Sequence, residues 1–338
     1  MTQATATRER LTSVVVSMHH SLDYYFNVFL RAKQTEGLKP RTLNDHKSHY
    51  RYLQRWLIER YSTLKLDELT ADHVRQYVQH MLSEQHLYAS HPTLQNHNTA
   101  KGLSPATVNI RTRTLKCFLR FLHTEGYLST DLASRVKLKK VKEDTIGAFT
   151  MEQVLQLLSA PSQREYVGFR DYVLLTLLLD TGLRINEALS LNIDDLNIVN
   201  KTITVRATVA KNGTSRVVPV TKRTVELLAA LIQENQKQFG KRYPSTLFLL
   251  NSGKPLTYNQ AYERIRLHDD KAGITGVRVS PHTFRHTFAK LYIKNGGDLF
   301  TLQKILGHHD ISMVRKYVQM SQRDLQEQHE QSSPLVGV

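Results

Sequence analysis

Six polar side chains in the C-terminal half of this 338-residue chain are of the types needed to break a phosphodiester without a metal ion. Arg184 lies in TGLRINEAL, Lys211 in VAKNGTSRVVPV, His282 and Arg285 in SPHTFRHTFA, His308 in LGHHDIS and Tyr317 in VRKYVQ. Such an attack needs an in-line nucleophile, neutralisation of charge on the non-bridging oxygens, and a proton for the departing oxygen. Arginine forks suit the second task because they grip phosphate oxygens two at a time. A tyrosine hydroxyl can be the nucleophile, but its free pKa of about 10 requires a nearby cation or base. Histidine and lysine can move the proton.

Each residue also has a plainer reading. Arg184 can pair with Glu187 one turn on, and Tyr317, flanked by Val314 and Val318, fits a core aromatic. Lys211 fits a solubilising turn lysine, and the H-x-x-R-H run fits a surface helix. His282 and His286, four apart and followed by His308-His309, raise metal binding. No Glu lies between the first pair as in H-E-x-x-H, however, and Arg285 would set a cation beside the ion. No metal and no cofactor is therefore expected, and His286 is read as a packed or hydrogen-bonded histidine.

The elements that must position these side chains follow from capping and periodicity. Helices are expected at 150–159, 168–181 and 184–190, then a strand pair, KTITVRATV and TSRVVPV, with Lys211-Asn212-Gly213 at the hairpin tip. LFLLN at 247–251 is read as a third short strand, and helices and tight turns follow Asn259. Arg184 follows a Thr-Gly-Leu turn and opens a helix whose N-terminal amides attract anions. Glu187 is placed to orient a partner in support of the site. His282 and Arg285, three apart after Ser280-Pro281, share one face of a first turn. Gly307 ends a helix, so that His308 emerges from a turn.

The N-terminal half reads differently. Residues 1–17 form a flexible arm, and 18–133 an all-α domain of four helices. Their stripes include Leu22, Tyr25, Phe26, Phe29 and Leu30, then Leu43, His46, Tyr50, Leu53 and Leu57 with Thr42 as cap. Thr70 opens the third helix and Ser104-Pro105 the fourth, which ends near Gly126, with a loop at 88–102 between them. Residues 134–147 form a basic linker, 148–318 a second domain, and 319–338 a tail with one more helix. The fold class is mainly α with a small antiparallel β-sheet, in two domains.

Composition points to a polyanionic partner. Lys plus Arg outnumber Asp plus Glu by 46 to 30, a net charge of +16, and the pI is near 9.8. The excess is densest at residues 101–142, with ten basic and two acidic side chains. Arg111, Arg113, Lys116 and Arg120 of the fourth helix, with Lys137, Lys139 and Lys140 of the linker, are the candidate DNA contacts. The bland alternative is a solvated helix face and connector. The single cysteine, Cys117, lies in an apolar stripe and excludes an internal disulfide. No stretch is long and apolar enough to cross a bilayer and no signal peptide is evident, so a cytoplasmic protein is expected.

Together the six residues resemble the catalytic set of the tyrosine recombinase family, the phage-integrase and Xer-type enzymes. That set runs Arg, Lys, His-x-x-Arg, His or Trp, then Tyr, in the order found over residues 18–320. The resemblance implies a SAM-like helical core-binding domain and a catalytic domain that clamp opposite faces of double-stranded DNA. It implies that Tyr317 attacks the scissile phosphate, giving a 3′-phosphotyrosyl intermediate and a free 5′-hydroxyl. Arg184, Arg285 and His308 would hold the non-bridging oxygens. Lys211 would be general acid, His282 general base or orienting group, and Glu187 structural support. It further implies a homotetramer acting on two DNA sites through a Holliday junction, with accessory proteins in some members and a tail that docks on a neighbouring subunit. Two departures stand out: Asn, not Gly, follows Lys211, and the 88–102 loop is long. A type IB topoisomerase-like enzyme and a non-catalytic DNA-binding protein on the same scaffold remain alternatives.

Overall fold

The computed structural model describes residues 21–62, 64–84, 102–141, 147–240 and 244–307, and beyond them 310, 314, 326, 329, 330 and 333–336. The N-terminal arm, nearly all of the 88–102 loop, His308, Tyr317 and most of the tail lie outside the described residues. The chain divides into two compact units, Met1–Glu143 and Asp144–Val338.

The first unit is helical. Helices α1 (Leu22–Thr35), α2 (Pro40–Tyr61), α3 (Ala71–Ser83) and α4 (Pro105–Thr124) enclose one aromatic-rich core. Phe26 stacks on Tyr50 with ring centroids 3.7 Å apart, and Phe118 meets both edge-on. Thr70 and Ser104 cap α3 and α4 as their sequence signals require. The start of α2 differs from expectation. It begins at Pro40 behind Lys39, with no side-chain cap, because proline presets the helical φ and lacks an N–H to satisfy. Thr42 therefore lies inside the helix.

The first stretch of the basic linker is docked on α4. Val136 is buried in the helical core, and Lys116 donates to the carbonyls of Ala133 and Val136. Asn109, itself buried, exchanges two hydrogen bonds with the Lys139 backbone, at 2.9 and 2.8 Å. Lys137, Lys139 and Lys140 remain exposed on this pinned segment.

The second unit is built around α6 (Tyr166–Thr181). Its Val173–Leu178 run is buried on every side, as an all-round apolar helix must be. Around it lie α5 (Met151–Ser159), the short α7 (Ile185–Leu189), α8 (Lys222–Phe239), α9 (Tyr258–Ala272), α10 (Pro281–Lys294) and α11 (Leu299–Leu306). Buried Arg170 and Asp171 of α6 meet Arg264 and His268 of α9, with Asp171 accepting at 2.6 and 2.9 Å from the latter pair. Burial alone would raise the Asp171 carboxyl. The hydrogen bonds from His268, Arg170 and Arg264 and the Arg170 charge outweigh it and hold the group below the usual carboxylate range.

The sheet has three antiparallel strands in the order β1 (Leu196–Asn197), β2 (Thr202–Val205), β3 (Arg216–Pro219). Val205 pairs with Arg216 and Ile203 with Val218. Two expectations are corrected. LFLLN is not the third strand; its segment makes isolated bridges only, Asn192 with Thr246 and Leu249 with Pro255. Side chains take two of its carbonyls, Asn235 at Leu247 and Arg170 at Leu249, while Phe248 accepts from the Leu256 backbone. Nor is the hairpin tight. Val209 and Ala210 both donate to the Arg206 carbonyl, a turn that ends β2 early and leaves 206–215 as a longer connection.

Candidate active site

Arg184 is the N-cap of α7 and lies just after the left-handed C-cap of α6, Gly182. A Cβ at Gly182 would sit 2.4 Å from Phe288 and 2.9 Å from Leu306, so only glycine permits this turn. The turn sets Arg184 half-buried above Glu187, which is 1% exposed. Glu187 accepts from the Arg184 backbone at 3.1 Å and its Nη1 at 3.0 Å. Arg216 supplies two more donors to the same carboxylate, Nη1 at 3.2 Å and Nη2 at 2.6 Å. Burial would raise this carboxyl, but the hydrogen bonds and charge of Arg216, then those of Arg184, hold it below its usual range.

Arg285 lies one turn into α10 and is 4% exposed. Its Nη1 donates to the Gly182 carbonyl and its Nη2 to the Leu306 carbonyl, each at 2.8 Å. The guanidinium thus ties the Arg184 turn to the end of α11. Two further side chains reach that end: Arg216 Nε donates to Ile305 at 2.8 Å, and Asn212 Nδ2 to Gly307 at 3.4 Å. Three successive carbonyls, 305 to 307, are held by three separate elements. The chain leaves this clamp directly into His308.

His282 stands at the first turn of α10, three residues before Arg285. Burial lowers its pKa first, and the charges of Arg285, Arg184 and Lys211 lower it further. Both effects favour the neutral imidazole, the form able to accept a proton. Lys211 is exposed in the 206–215 connection, beside the Asn212 contact to Gly307. The structure thus brings Arg184, Lys211, His282 and Arg285 into one field, with Glu187 beneath Arg184. His308 and Tyr317 lie outside the described residues, although Val314, between them, packs with Ala289, Ile293, Leu302 and Leu306. His286 is buried on α10, and no cluster able to hold a metal ion occurs among the described residues.

Arg216 and Asn212 escaped the sequence reading. The signal for Arg216 was available: it shares strand parity with buried Val218, which puts a charge on the inward face of β3. On the helical unit the four α4 cations prove unequal. Arg113 and Arg120 are exposed, whereas Arg111 lies 3.7 Å over the Tyr52 ring and Lys116 is turned to carbonyls. A second stripe was missed: Lys47, Arg51 and Arg55 recur every four residues along the exposed side of α2. No helix among the described residues is long and apolar enough to cross a membrane.

Both units match known proteins. Residues 148–323 match the phage integrase family, and 21–140 the phage integrase SAM-like domain. Tyrosine recombinase XerD of Staphylococcus saprophyticus is 31% identical over 222 residues, covering 65% of this chain and 74% of its own. The fold is shared with the integrase of transposon Tn1549 in complex with transposon right end DNA. That likeness has a TM-score of 0.67 at 22% identity and covers 90% of this chain and 98% of the other. A lambda integrase tetramer bound to a Holliday junction matches with a TM-score of 0.66 at 17% identity, covering 89% and 82%.

Proposed function

This chain belongs to the phage integrase family as a tyrosine-type site-specific recombinase, and we propose that it cuts and rejoins double-stranded DNA through a phosphotyrosyl intermediate at Tyr317. The observation that carries the proposal is the clamp in which Arg285 joins the Gly182 carbonyl, two residues before Arg184, to the Leu306 carbonyl, with Lys211 next to the Asn212 contact at Gly307 and His282 three residues before Arg285 on the same helix. Those three cations suit a phosphate whose charge grows on attack, since fixed positive groups stabilise the transition state more than the ground state. Arg184 and Arg285, with His308, hold the non-bridging oxygens. Tyr317 attacks phosphorus, the bond to the 5′-oxygen breaks, and Lys211 delivers the proton to that oxygen. His282 receives or orients the tyrosine proton. Because the phosphotyrosyl ester conserves the bond energy, rejoining needs only the return attack of a 5′-hydroxyl.

Strand exchange follows when that hydroxyl comes from a second duplex, passing through a Holliday junction in a homotetramer on two sites. On this reading residues 18–133 grip DNA through exposed Arg113 and Arg120, the 134–147 segment lays Lys137, Lys139 and Lys140 along the phosphate backbone, 148–318 cleave, and 319–338 dock on a neighbour. The exposed α2 stripe of Lys47, Arg51 and Arg55 adds further cations for the same partner.

The test is covalent capture from a random duplex library, followed by a nicked suicide duplex carrying the captured sequence. Wild type should attach covalently; Tyr317→Phe should bind but not attach. Attachment undiminished in the phenylalanine variant refutes the nucleophile. Exchange between two captured sites, absent for an enzyme that only relaxes supercoils, tests the recombinase step.

A further inference from the structure

We infer that Arg216 is a positioning residue of this site, a strut that couples the Glu187–Arg184 pair to the end of α11 from which the chain enters His308. The inference rests on the recombinase reading above, because only there do Arg184 and His308 act on one phosphate.

The geometry carries it. Arg216 opens β3 with its side chain turned inward and 10% exposed. One planar guanidinium serves three acceptors on two elements: both Glu187 oxygens through Nη1 and Nη2, and the Ile305 carbonyl through Nε. Residues 187 and 305 are far apart in the chain, and the rigid fork fixes their separation in a way a single ammonium cannot. The acceptor at Ile305 belongs to the C-terminal turn of α11, where helix carbonyls favour a cation. Gly307 completes the fit. A Cβ there would lie 3.0 to 3.2 Å from Arg216 Cδ, Nε and Cζ, so a side chain on this left-handed turn would press the guanidinium back by a few tenths of an ångström.

If the strut is removed, Glu187 keeps the Arg184 contacts alone, and the 305–307 end keeps the Arg285 and Asn212 contacts. The relation between the Arg184 side chain and the chain entering His308 then rests on Arg285 alone, which grips the Gly182 backbone and not the Glu187 carboxylate that aims Arg184. Displacements on the order of 1 Å at such a site cost about 100-fold in rate.

The experiment uses the full chain on the captured suicide duplex, with Arg216→Gln and Arg216→Lys. Both variants should bind this DNA within about twofold of wild type, since many other basic residues share the electrostatic term. Covalent attachment should slow by about 10–100-fold in Arg216→Gln and by less in Arg216→Lys, the range found when partners behind a functional group are removed. The pH profile separates positioning from general loss of structure. The groups facing Glu187 are Arg184 from the N-cap of α7 and Arg216 from β3; without Arg216 the buried carboxyl titrates higher. The acid limb of cleavage should therefore move to higher pH in Arg216→Gln and stay near wild type in Arg216→Lys.

Cleavage by both variants within about twofold of wild type, an equal loss of binding and cleavage, or an unmoved acid limb would each overturn the inference. If Arg216→Gln does not fold, Arg216→Lys decides alone: a slowed attachment with retained binding supports the strut, and a wild-type rate refutes it. Wild type and Tyr317→Phe run alongside. Failure of those controls sinks the recombinase reading, whereas failure of the Arg216 variants with sound controls sinks only the strut.

Discussion

Gly182 and Gly273 offer a matched pair for testing how tightly the active-site turn is packed. Both are left-handed C-caps, of α6 at φ 60° and of α9 at φ 64°. Alanine at either position pays about 1–2 kcal/mol for the left-handed backbone. Their surroundings differ. A Cβ at Gly273 meets nothing within 4 Å, while at Gly182 it would press on Phe288 at 2.4 Å and Leu306 at 2.9 Å. Those side chains are packed against the apolar cores of this unit, so relief requires shifting them, at about 1–3 kcal/mol more. Gly273→Ala should lose about 1–2 kcal/mol and Gly182→Ala about 2–5 kcal/mol, each kcal/mol being worth roughly 2–4 °C in a unit of this size. Thermal unfolding followed by far-UV circular dichroism measures the difference. Emission from Trp56, the one tryptophan and 3% exposed, reports the helical unit as an internal reference. Gly182→Ala should also cleave DNA more slowly while still folded, because Gly182 and Leu306 carry both carbonyls that hold Arg285. Equal stability losses in the two variants, or equal cleavage rates, would refute the reasoning.

Two further expectations concern the charged groups. Asp171→Asn should cost about 3–5 kcal/mol, since it leaves buried Arg170 without its carboxylate. In wild type, Asp171 and Glu187 both sit below their usual range, so their stabilisation is complete above the unfolded carboxyl pKa of about 4 and is lost as pH falls through the lower folded values. Urea midpoints from neutral to acid pH should decline below about 4, and less steeply in Asp171→Asn; a flat wild-type profile would contradict this. On the helical unit, Arg113→Ala and Arg120→Ala should each reduce the salt slope of DNA binding by about 1. Lys116→Ala should leave that slope alone and instead lower the transition reported by Trp56, because the Ala133 and Val136 carbonyls lose their donor. The reverse pattern would show that Lys116 contacts DNA.

What was legible in the sequence was local. Thr70, Ser104 and Ser280 each cap the helix that their pattern announces, because a cap and its helix lie within three residues. The 206–215 connection was misjudged because Asn-Gly signals a tight hairpin, while the turn at Arg206 had already ended the strand. LFLLN looked like a strand because it is continuously apolar, and side chains from Arg170 and Asn235 meet its backbone where a neighbouring strand was expected. For Arg216 strand parity with Val218 could give the inward face, but not the partners: they lie 29 and 89 positions away, and spacing cannot report a contact that only the tertiary fold creates.

The same long-range contacts explain how the cations can be both held and available. Arg285 is nearly buried, yet two of its nitrogens go to backbone carbonyls, which orient the group without cancelling its charge. Glu187, by contrast, partly offsets Arg184 and Arg216 while fixing where they point. The field that results falls on His282 and, after burial, depresses its proton affinity. On the proposed chemistry an arriving phosphate opposes that field, because its negative charge offsets the three cations at short range. The cationic contribution to the lowered proton affinity therefore shrinks as the substrate binds. On that chemistry, relief of the cationic field favours His282 as the group that receives or orients the tyrosine proton.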